Sequence, residues 1–312
     1  MKLQHLQDLI AVAECGSLRA AARARGVTAP ALAKNLRALE EELQVPLLER
    51  KAKGVSLTHY GQAVLIRARL IDKQRQQAIA DIAQLRGSLE GSVTIGVGPT
   101  PATALMPSVL GEFQRRFPHV RIALVSGMYD DHVRQLRSGQ LDLAVVAVPN
   151  HAQAPGLRRD HLFFNDPVVA CRRGHPMSHA RHLAELADCE WMTTGPANAV
   201  LGSAVLEGFA RLGIPAPSRV IQCDMGWALQ SLLIQSDRVC ILPRVLLQQP
   251  VLSQVLQPLA IEEQLPRYAI CLIQRKDEPL PPMAQQMATL VRRHAHYLDS
   301  GALAPDGSAA LA

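Results

Sequence analysis

The sequence Val27-Thr28-Ala29-Pro30-Ala31-Leu32-Ala33-Lys34-Asn35-Leu36-Arg37-Ala38-Leu39-Glu40 carries the signals of a capped amphipathic helix. Thr28 is a favoured N-cap residue, and Pro30 suits the first turn, where a missing N–H costs nothing. Leucines recur three or four residues apart, so one face of this helix is apolar. Lys34, Asn35 and Arg37 lie off that face and can contact a partner.

A short helix is predicted just before this one, over residues 17–26. Ser17 is its N-cap, and Gly26 ends it. Two helices joined by a tight turn are typical of a helix-turn-helix, although unrelated helix pairs produce the same pattern. Two short apolar-alternating runs follow at residues 46–50 and 55–57, around the turn of residues 51–54, and predict a basic-tipped hairpin. An ordinary solvated turn is the alternative interpretation of that hairpin.

These positions resemble the winged helix-turn-helix of LysR-type transcriptional regulators. The chain departs from the family pattern at Ala29, where Gln is usual, and at Ala33, where Ser is frequent. An alanine at position 29 can offer only a methyl contact to thymine. The resemblance rests on Thr28-Ala29-Pro30-Ala31-Leu32, Leu39-Glu40, Leu43, Pro46-Leu47-Leu48, Arg50, Leu57-Thr58 and Gly61.

The expected DNA contacts lie near the amino-terminal ends of the two helix-turn-helix helices, along the second of them, and at the tip of the hairpin. Residues 1–90 carry a net charge of +5 out of +6 for the whole chain, as a nucleic-acid-binding module would. A merely solvated helical surface would also carry such a modest excess. The residues expected to contact double-stranded promoter DNA are Ser17, Arg19, Thr28, Ala29, Pro30, Ala31, Lys34, Asn35, Arg37, Arg50, Lys51 and Lys53.

A long helix is predicted over residues 59–90. Its apolar residues alternate three and four apart, with Arg75 as the one charged interruption. At 1.5 Å per residue it is roughly 45 Å long, too long to be buried in a small domain, so it predicts a homodimer. The resemblance further implies a homotetramer, with RNA polymerase as a possible additional partner. The expected dimer interface comprises Val64, Ala68, Ile71, Ala78, Ile82, Leu85 and Leu89.

From residue 91 onward, strands alternate with helices, which predicts an α/β domain with parallel sheets covered on both faces. Two α/β halves joined by two crossings resemble the LysR effector domain and periplasmic binding proteins. The predicted strands include residues 92–97, 120–125, 141–148, 168–171, 219–223, 239–243 and 268–273, and the predicted helices include 102–117, 130–138, 200–212 and 282–297. The predicted domains are a winged helix-turn-helix (1–58), a dimerising linker helix (59–90), an effector-binding domain (91–298; lobe I 91–162 and 268–298, lobe II 163–267) and a disordered tail (299–312).

A small-molecule effector is expected between the two lobes, and a small organic anion suits the residues there. Thr100 combines a hydroxyl with the free N–H groups of a helix start, which favour anions. Each threonine could equally be an ordinary helix cap. By resemblance, the expected effector contacts are Pro99, Thr100, Pro101, Met128, Val148, Thr193, Thr194, Asn198 and Met225 or Trp227.

The sequence does not favour an enzyme, and neither a cofactor nor a metal is expected. Gly96-Val97-Gly98-Pro99-Thr100-Pro101 is like a dinucleotide fingerprint, but Pro101 replaces the third glycine. The imidazoles of His175, His179 and His182 have helical spacing, but Pro176 interrupts it and no further ligand completes a metal site. A cytoplasmic regulator is therefore expected, since no apolar signal-peptide core or membrane segment is present. A solute-binding protein with no role on DNA is the alternative.

The cysteines are scattered and no Cys-x-x-Cys pair occurs, so free packing thiols are expected. A redox pair of Cys171 with Cys189 or Cys223 is the alternative.

Overall fold

The computed structural model describes residues 1–51, 54–85, 90–149, 152–194, 208–223 and 225–300. The chain divides into two compact units, one of Met1–Gly91 with Val133–Asp142 and one of Ser92–His132 with Leu143–Ala312. Residues 133–142 therefore pack with the first unit, although the sequence places them inside the effector-binding domain. The predicted disordered tail lies outside the described residues from position 301 onward.

The first unit is a helix-turn-helix followed by a hairpin and a long helix. The side-chain oxygen of Ser17 accepts a hydrogen bond from the Ala20 amide (3.1 Å), and that of Thr28 accepts one from the Ala31 amide (3.3 Å), so both predicted N-caps form. Gly26 ends the second helix with φ 66°, a left-handed conformation that favours glycine. The elements are α1 (Leu3–Cys15), α2 (Leu18–Arg25), α3 (Ala29–Leu43), β1 (Leu48–Lys51), β2 (Gly54–Leu57) and α4 (His59–Leu85).

The core of the first unit lies beneath α3. Leu32, Leu36 and Leu39 are buried there and belong to one cluster with Leu9 of α1 and Ala68 of α4. The first turns of α4 thus pack against the chain's own helix-turn-helix. The apolar spacing could not distinguish this packing from a dimer seam, because both bury one helical face.

The second unit contains two five-stranded sheets. Its first half comprises β3 (Gly91–Val97), α5 (Pro99–Ala104), α6 (Met106–Arg116), β4 (Val120–Ser126), β5 (Leu143–Val148) and β6 (Leu157–Asn165). Between β4 and β5 the chain forms α7 (Tyr129–Arg137), whose residues from Val133 onward belong to the first unit. It continues with β7 (Pro167–Arg172), a 3-10 turn (Leu183–Leu186), β8 (Glu190–Thr193), β9 (Val220–Gln222), α8 (Gly226–Ile234), β10 (Arg238–Pro243), α9 (Arg244–Leu247), α10 (Pro250–Val255), β11 (Leu256–Pro258), β12 (Tyr268–Arg275) and α11 (Pro282–Ser300).

Both sheets are mixed, so the prediction of parallel sheets is wrong. The first sheet has the order β4-β3-β5-β12-β6, in which β12 is antiparallel to β5 and β6. The second has the order β11-β7-β10-β8-β9, in which β7 is antiparallel to β10 and β11. The chain passes between the two sheets twice, from β6 to β7 and from β11 to β12. Each of these four strands lies antiparallel to a neighbour in its own sheet. An apolar run specifies burial, but it does not specify direction.

Two predicted boundaries also differ. The helix expected at 102–117 is two helices that meet at Leu105, because Pro107 at the start of α6 interrupts the backbone hydrogen bonding. The strand β6 was not predicted, and it keeps the chain in the first sheet through Asn165, beyond the lobe boundary expected at residue 162. Most of the helix expected at 200–212 lies outside the described residues. Among the described helices, none has the length and apolarity needed to cross a membrane.

Candidate DNA interface and effector site

The helix α3 has one buried face and one face open to solvent. Lys34 and Arg37 lie on the open face, and neither forms an ion pair or side-chain hydrogen bond within the described part of the chain. Two cations without internal partners can pair with phosphates at little cost. The other exposed residues of this helix start are Thr28, Pro30 and Ala31, and Ala29 is half-buried.

Asn35 does not share that open face. Its Nδ2 donates a hydrogen bond of 2.8 Å to Oδ2 of Asp8, which is 2% exposed. The side-chain amide is thus engaged within the helical unit, and a contact of Asn35 with DNA stays a prediction. Spacing alone placed Asn35 off the leucine face, but it could not reveal a buried carboxylate on another helix.

The start of α2 and the hairpin lie next to each other in the first unit, since the Val55 amide donates to the Gly16 carbonyl. Ser17 is half-buried with its oxygen engaged as a cap, and Arg19 is exposed. The hairpin pairs β1 and β2 as predicted, and Gly54 has φ 135°. A Cβ at Gly54 would lie 2.6 Å from the carbonyl oxygen of Gly16, so the hairpin sits directly on the loop between α1 and α2. The side chains of Arg50 and Lys51, and all of Lys53, lie outside the described residues.

The predicted seam of α4 has two parts with different surroundings. Ala68 is fully buried in the core of the first unit, which corrects its assignment to an interface between copies, whereas Val64 is only partly buried against that core. Further along, Ile71 and Ile82 are exposed by 40% and 59%, and Ala78 is also exposed. The side chain of Leu85 and all of Leu89 lie outside the described residues. Ile79, which the heptad pattern did not include, is 58% exposed.

In the lobe of the first sheet, Thr100 is buried and hydrogen-bonded. It is 5% exposed, and its hydroxyl contacts the hydroxyl of Tyr268, which also accepts a bond from the Asn165 amide. Burial raises the pKa of Tyr268 far above its usual range, against the opposing effect of these two bonds, so the phenol stays protonated. Thr100 is thus held by a buried polar cluster that the sequence did not indicate.

The other expected effector contacts of this lobe differ in their solvent exposure. Val148 and Pro101 are buried, Met128 is half-buried and Pro99 is exposed. In the second lobe, Thr193 ends β8 and Thr194 follows it. The Thr194 hydroxyl oxygen is buried and has no hydrogen-bond partner among the described residues, which is costly unless something else satisfies it.

Met225 and Trp227 differ from these residues because they are open to solvent. Met225 is 69% exposed and Trp227 is 88% exposed, at the start of α8. In this structure neither side chain is enclosed as a cleft contact would be. Asn198, the remaining candidate of the second lobe, lies outside the described residues.

The two crossings between the sheets are bonded to each other. Asp166 connects β6 to β7, and Arg267 precedes β12. Their side chains form an ion pair of 2.5 Å, and the Arg267 guanidinium lies 5.2 Å from the Phe164 ring centroid. Beside them, the Asn165 to Tyr268 hydrogen bond joins the same two crossings. In addition, the side-chain amide of Gln249, between α9 and α10, donates a hydrogen bond to the Thr103 carbonyl of α5 (3.4 Å).

A cavity of about 370 Å³ opens at the amino ends of β8 and β10. Glu190, Asp237 and Arg238 line it, whereas none of the expected effector residues does. Arg238 pairs with Glu190 (2.5 Å) and Asp237 pairs with Arg172 (2.6 Å). Because these charges neutralise each other, we do not assign the effector to this cavity.

The described thiols are free and mostly buried. Burial raises the pKa of Cys171 and of Cys189, raises that of Cys240 to about 12 and raises that of Cys271 to about 11. Protonated thiols are poor nucleophiles. Cys15 is the one exposed thiol among the six, and Cys189 is half-buried.

Two domain profiles together match most of the chain. The profile described as "Bacterial regulatory helix-turn-helix protein, lysR family" matches residues 3–62, and that described as "LysR substrate binding domain" matches residues 86–296. The chain belongs to the LysR family. It is a DNA-binding transcriptional regulator with an effector-binding domain, and the interpretation as a solute-binding protein is wrong.

Similar proteins span nearly the whole length of this LysR-family regulator. The regulator GbpR of Azospirillum brasilense is 31% identical over 94% of this chain and 86% of its own length. The SDS degradation transcriptional activation protein of a Pseudomonas species is 31% identical over 98% and 99%. The crystal structure of full-length CbnR with its target DNA matches with a TM-score of 0.66 and 25% identity, over 94% of this chain and 100% of that one. ArgP of Mycobacterium tuberculosis shares the fold, with a TM-score of 0.72 and 20% identity.

Proposed function

We propose that α3 of this regulator reads promoter DNA in the major groove, with the start of α2 and the hairpin on the flanking backbone. The observation that carries the proposal is the open face of α3, where Lys34 and Arg37 have no partner among the residues that the structure describes, while the leucines opposite are buried. The structure of CbnR with its target DNA supports a DNA partner for this fold. Contacts to phosphates supply affinity, and contacts to base edges supply sequence choice.

The salt dependence of DNA binding tests this placement. Each phosphate contact contributes about −0.9 to the slope of log affinity against log salt, so Lys34→Ala or Arg37→Ala decreases the steepness by about 1 if the residue contacts phosphate. The binding assay uses the DNA upstream of the regulator's own gene, with competitor DNA present. Arg121→Ala, an exposed arginine on β4, is the matched control. An unchanged slope in both α3 variants would place the DNA interface elsewhere.

The exposed second half of α4 supports a homodimer, which would present two recognition helices to an inverted repeat. Ile79 and Ile82 are more than half exposed, and apolar side chains of this size favour burial against a second copy. We expect Ile82→Glu to convert the dimer to a monomer in sedimentation equilibrium, whereas Gln62→Glu, which adds the same charge elsewhere on α4, leaves it intact. A homotetramer, and contact with RNA polymerase, extend this proposal by analogy with the family.

The effector is proposed to be a small organic anion bound between the two lobes. The Thr194 hydroxyl, which has no hydrogen-bond partner in the described part of the chain, supports a polar ligand on the second lobe. The hydrogen-bonded Thr100 supplies a polar group on the first. Effector binding would shift the population of lobe arrangements, and thereby the spacing of the paired DNA-binding domains on the promoter. The regulator would act in the cytoplasm. No catalytic step belongs to this function.

Thermal unfolding with added benzoate, benzenesulfonate or acetate tests the effector class. A ligand that binds only the folded protein raises the Tm as its concentration rises. Thr194→Val should reduce that rise, and Thr289→Val on α11 should not. If none of the three anions stabilises the wild-type protein, the effector belongs to another chemical class.

A further inference from the structure

A continuous chain of hydrogen-bonded side chains crosses the first unit from α3 to α4. Asn35 of α3 donates to Asp8 Oδ2 (2.8 Å), and Arg25 of α2 donates to Asp8 Oδ1 (3.1 Å). Arg25 also donates to Gln7 Oε1 (2.9 Å), and Gln7 Nε2 donates to Asp72 Oδ1 on α4 (2.7 Å). Each of the four helices therefore contributes at least one member of this network.

The partners of Gln7 determine the direction of its amide. The Arg25 guanidinium can only donate, and the Asp72 carboxylate can only accept, so the amide oxygen must face Arg25 and the amide nitrogen must face Asp72. Asp72 also accepts bonds from Arg75 (3.1 Å) and Gln76 (2.8 Å), which hold its carboxylate in place on α4. Burial raises the pKa of Asp72, but the bonds from Gln7, Arg75 and Gln76 lower it below the usual value, so it is ionised at neutral pH.

Stability alone gives no reason for this network. Asp8 is 2% exposed, and burying a carboxylate is so costly that apolar residues of similar volume are often as stabilising. The neighbouring surface of α2 fully buries only the small side chains of Ala21 and Ala22, and Leu18 is partly buried beside them, so apolar packing alone fixes the rotation of this helix weakly. A fully satisfied set of directional bonds, in contrast, permits one mutual orientation of the helices it joins.

We propose that Gln7, Asp8 and Arg25 are positioning residues that set the direction of α3 relative to α4, and thereby the half-site spacing that a dimer binds. The inference rests on the proposed function, in which α3 contacts DNA and α4 joins two copies. Half-site spacing follows from the geometry that links the two recognition helices. A change at Gln7 alters this link without touching the DNA-facing side chains.

The test combines an isosteric substitution with its reversal. Gln7→Glu keeps the acceptor facing Arg25 but places a second carboxylate against Asp72. Adding Asp72→Asn supplies a donor at position 72 and restores the bond in the opposite direction. Asp72→Asn alone, in which the new amide oxygen can still accept from Gln7, is the control. Gln7→Met removes both bonds at similar volume and serves as a second variant if Gln7→Glu does not fold.

The measurement is the dissociation constant for duplexes that differ only in spacer length. Selection from random duplexes with the wild-type protein first defines the inverted repeat, and spacers are then changed by one and two base pairs. We expect Gln7→Glu and Gln7→Met to reduce the preference for the best spacer by about fivefold, a typical coupling between directly bonded groups. Affinity for a duplex with one half-site should stay within about twofold of wild type, and the double variant should regain the wild-type spacer preference.

An equal loss of affinity for every spacer and for the single half-site would overturn the proposal, because it indicates a merely structural role. An unchanged spacer preference in Gln7→Glu or Gln7→Met, or no recovery in the double variant, would overturn it as well. Failure of the proposed function looks different: the wild-type protein would then select no inverted repeat, or Arg37→Ala would bind like wild type.

Discussion

Glu112 offers the sharpest test of how the effector domain is held together. It lies on α6, and its carboxylate accepts hydrogen bonds from Arg293 and His294 (2.7 Å to His294) on α11 and pairs with Arg116 (2.5 Å). Burial by itself would raise the pKa of Glu112, but the bonds from Arg293 and His294 and the nearby arginine charges lower it to about 2. The carboxylate is therefore ionised throughout the physiological range and joins two helices that cover the first sheet.

The size of the effect follows from the shifted pKa. A change from an ordinary value of 4.5 to about 2 corresponds to about 3 kcal/mol of stability. Because the folded-state pKa of Glu112 is the lower one, this stability is present above pH ~4.5 and is lost as the pH falls toward ~2. Glu112→Gln, whose amide oxygen still accepts one bond, should lower the free energy of unfolding by about 2–3 kcal/mol at pH 7.

Urea unfolding followed by circular dichroism between pH 7 and pH 3 measures this difference. The difference in free energy of unfolding between wild type and Glu112→Gln should decrease by about half near pH ~3.3, midway between the two pKa values. Glu41→Gln, at an exposed carboxylate on α3, is the matched control and should change stability little at any pH. A gap at pH 7 that persists unchanged at pH 3.3 would refute the electrostatic explanation and would indicate a packing defect instead.

Three further outcomes are expected. Gly54→Ala should lower the Tm, because an alanine at φ 135° is strained and its Cβ meets a backbone carbonyl 2.6 Å away; an unchanged Tm would contradict that close contact. Tyr268→Phe should lower the free energy of unfolding by about 1–3 kcal/mol because it leaves buried polar groups unpaired, whereas Tyr60→Phe at an exposed site should not. In the native protein at pH 8, Cys15 should react with a thiol reagent first, and Cys240, with its pKa of about 12, should react only after unfolding. Equal reaction rates for both thiols would show that burial does not protect Cys240.

Much of the DNA-binding unit could be predicted because its signals are local. Caps, leucine spacing and the hairpin turn depend on residues within a few positions of one another, and the structure contains Ser17 and Thr28 as caps and Gly54 at positive φ. The α/β character of the second unit was predictable for the same reason, since apolar runs between amphipathic helices identify strands and helices. The family followed from many such local positions occurring in order.

Other features depend on residues far apart in the chain, and the sequence alone could not reveal them. Strand direction in the two sheets is set by where the crossings enter, so β12 lies antiparallel to β5 although both are continuous apolar runs. Asn35 was predicted on the DNA-facing surface from its spacing, and nothing in the sequence indicated that its amide is hydrogen-bonded to Asp8 on another helix. The polar cluster of Thr100 and Tyr268 joins one residue from near the beginning and one from near the end of the effector-domain sequence. Local pattern determined which helices and strands form, whereas tertiary packing decided which side chains meet, because a hydrogen bond depends on distance in space and not on distance along the chain.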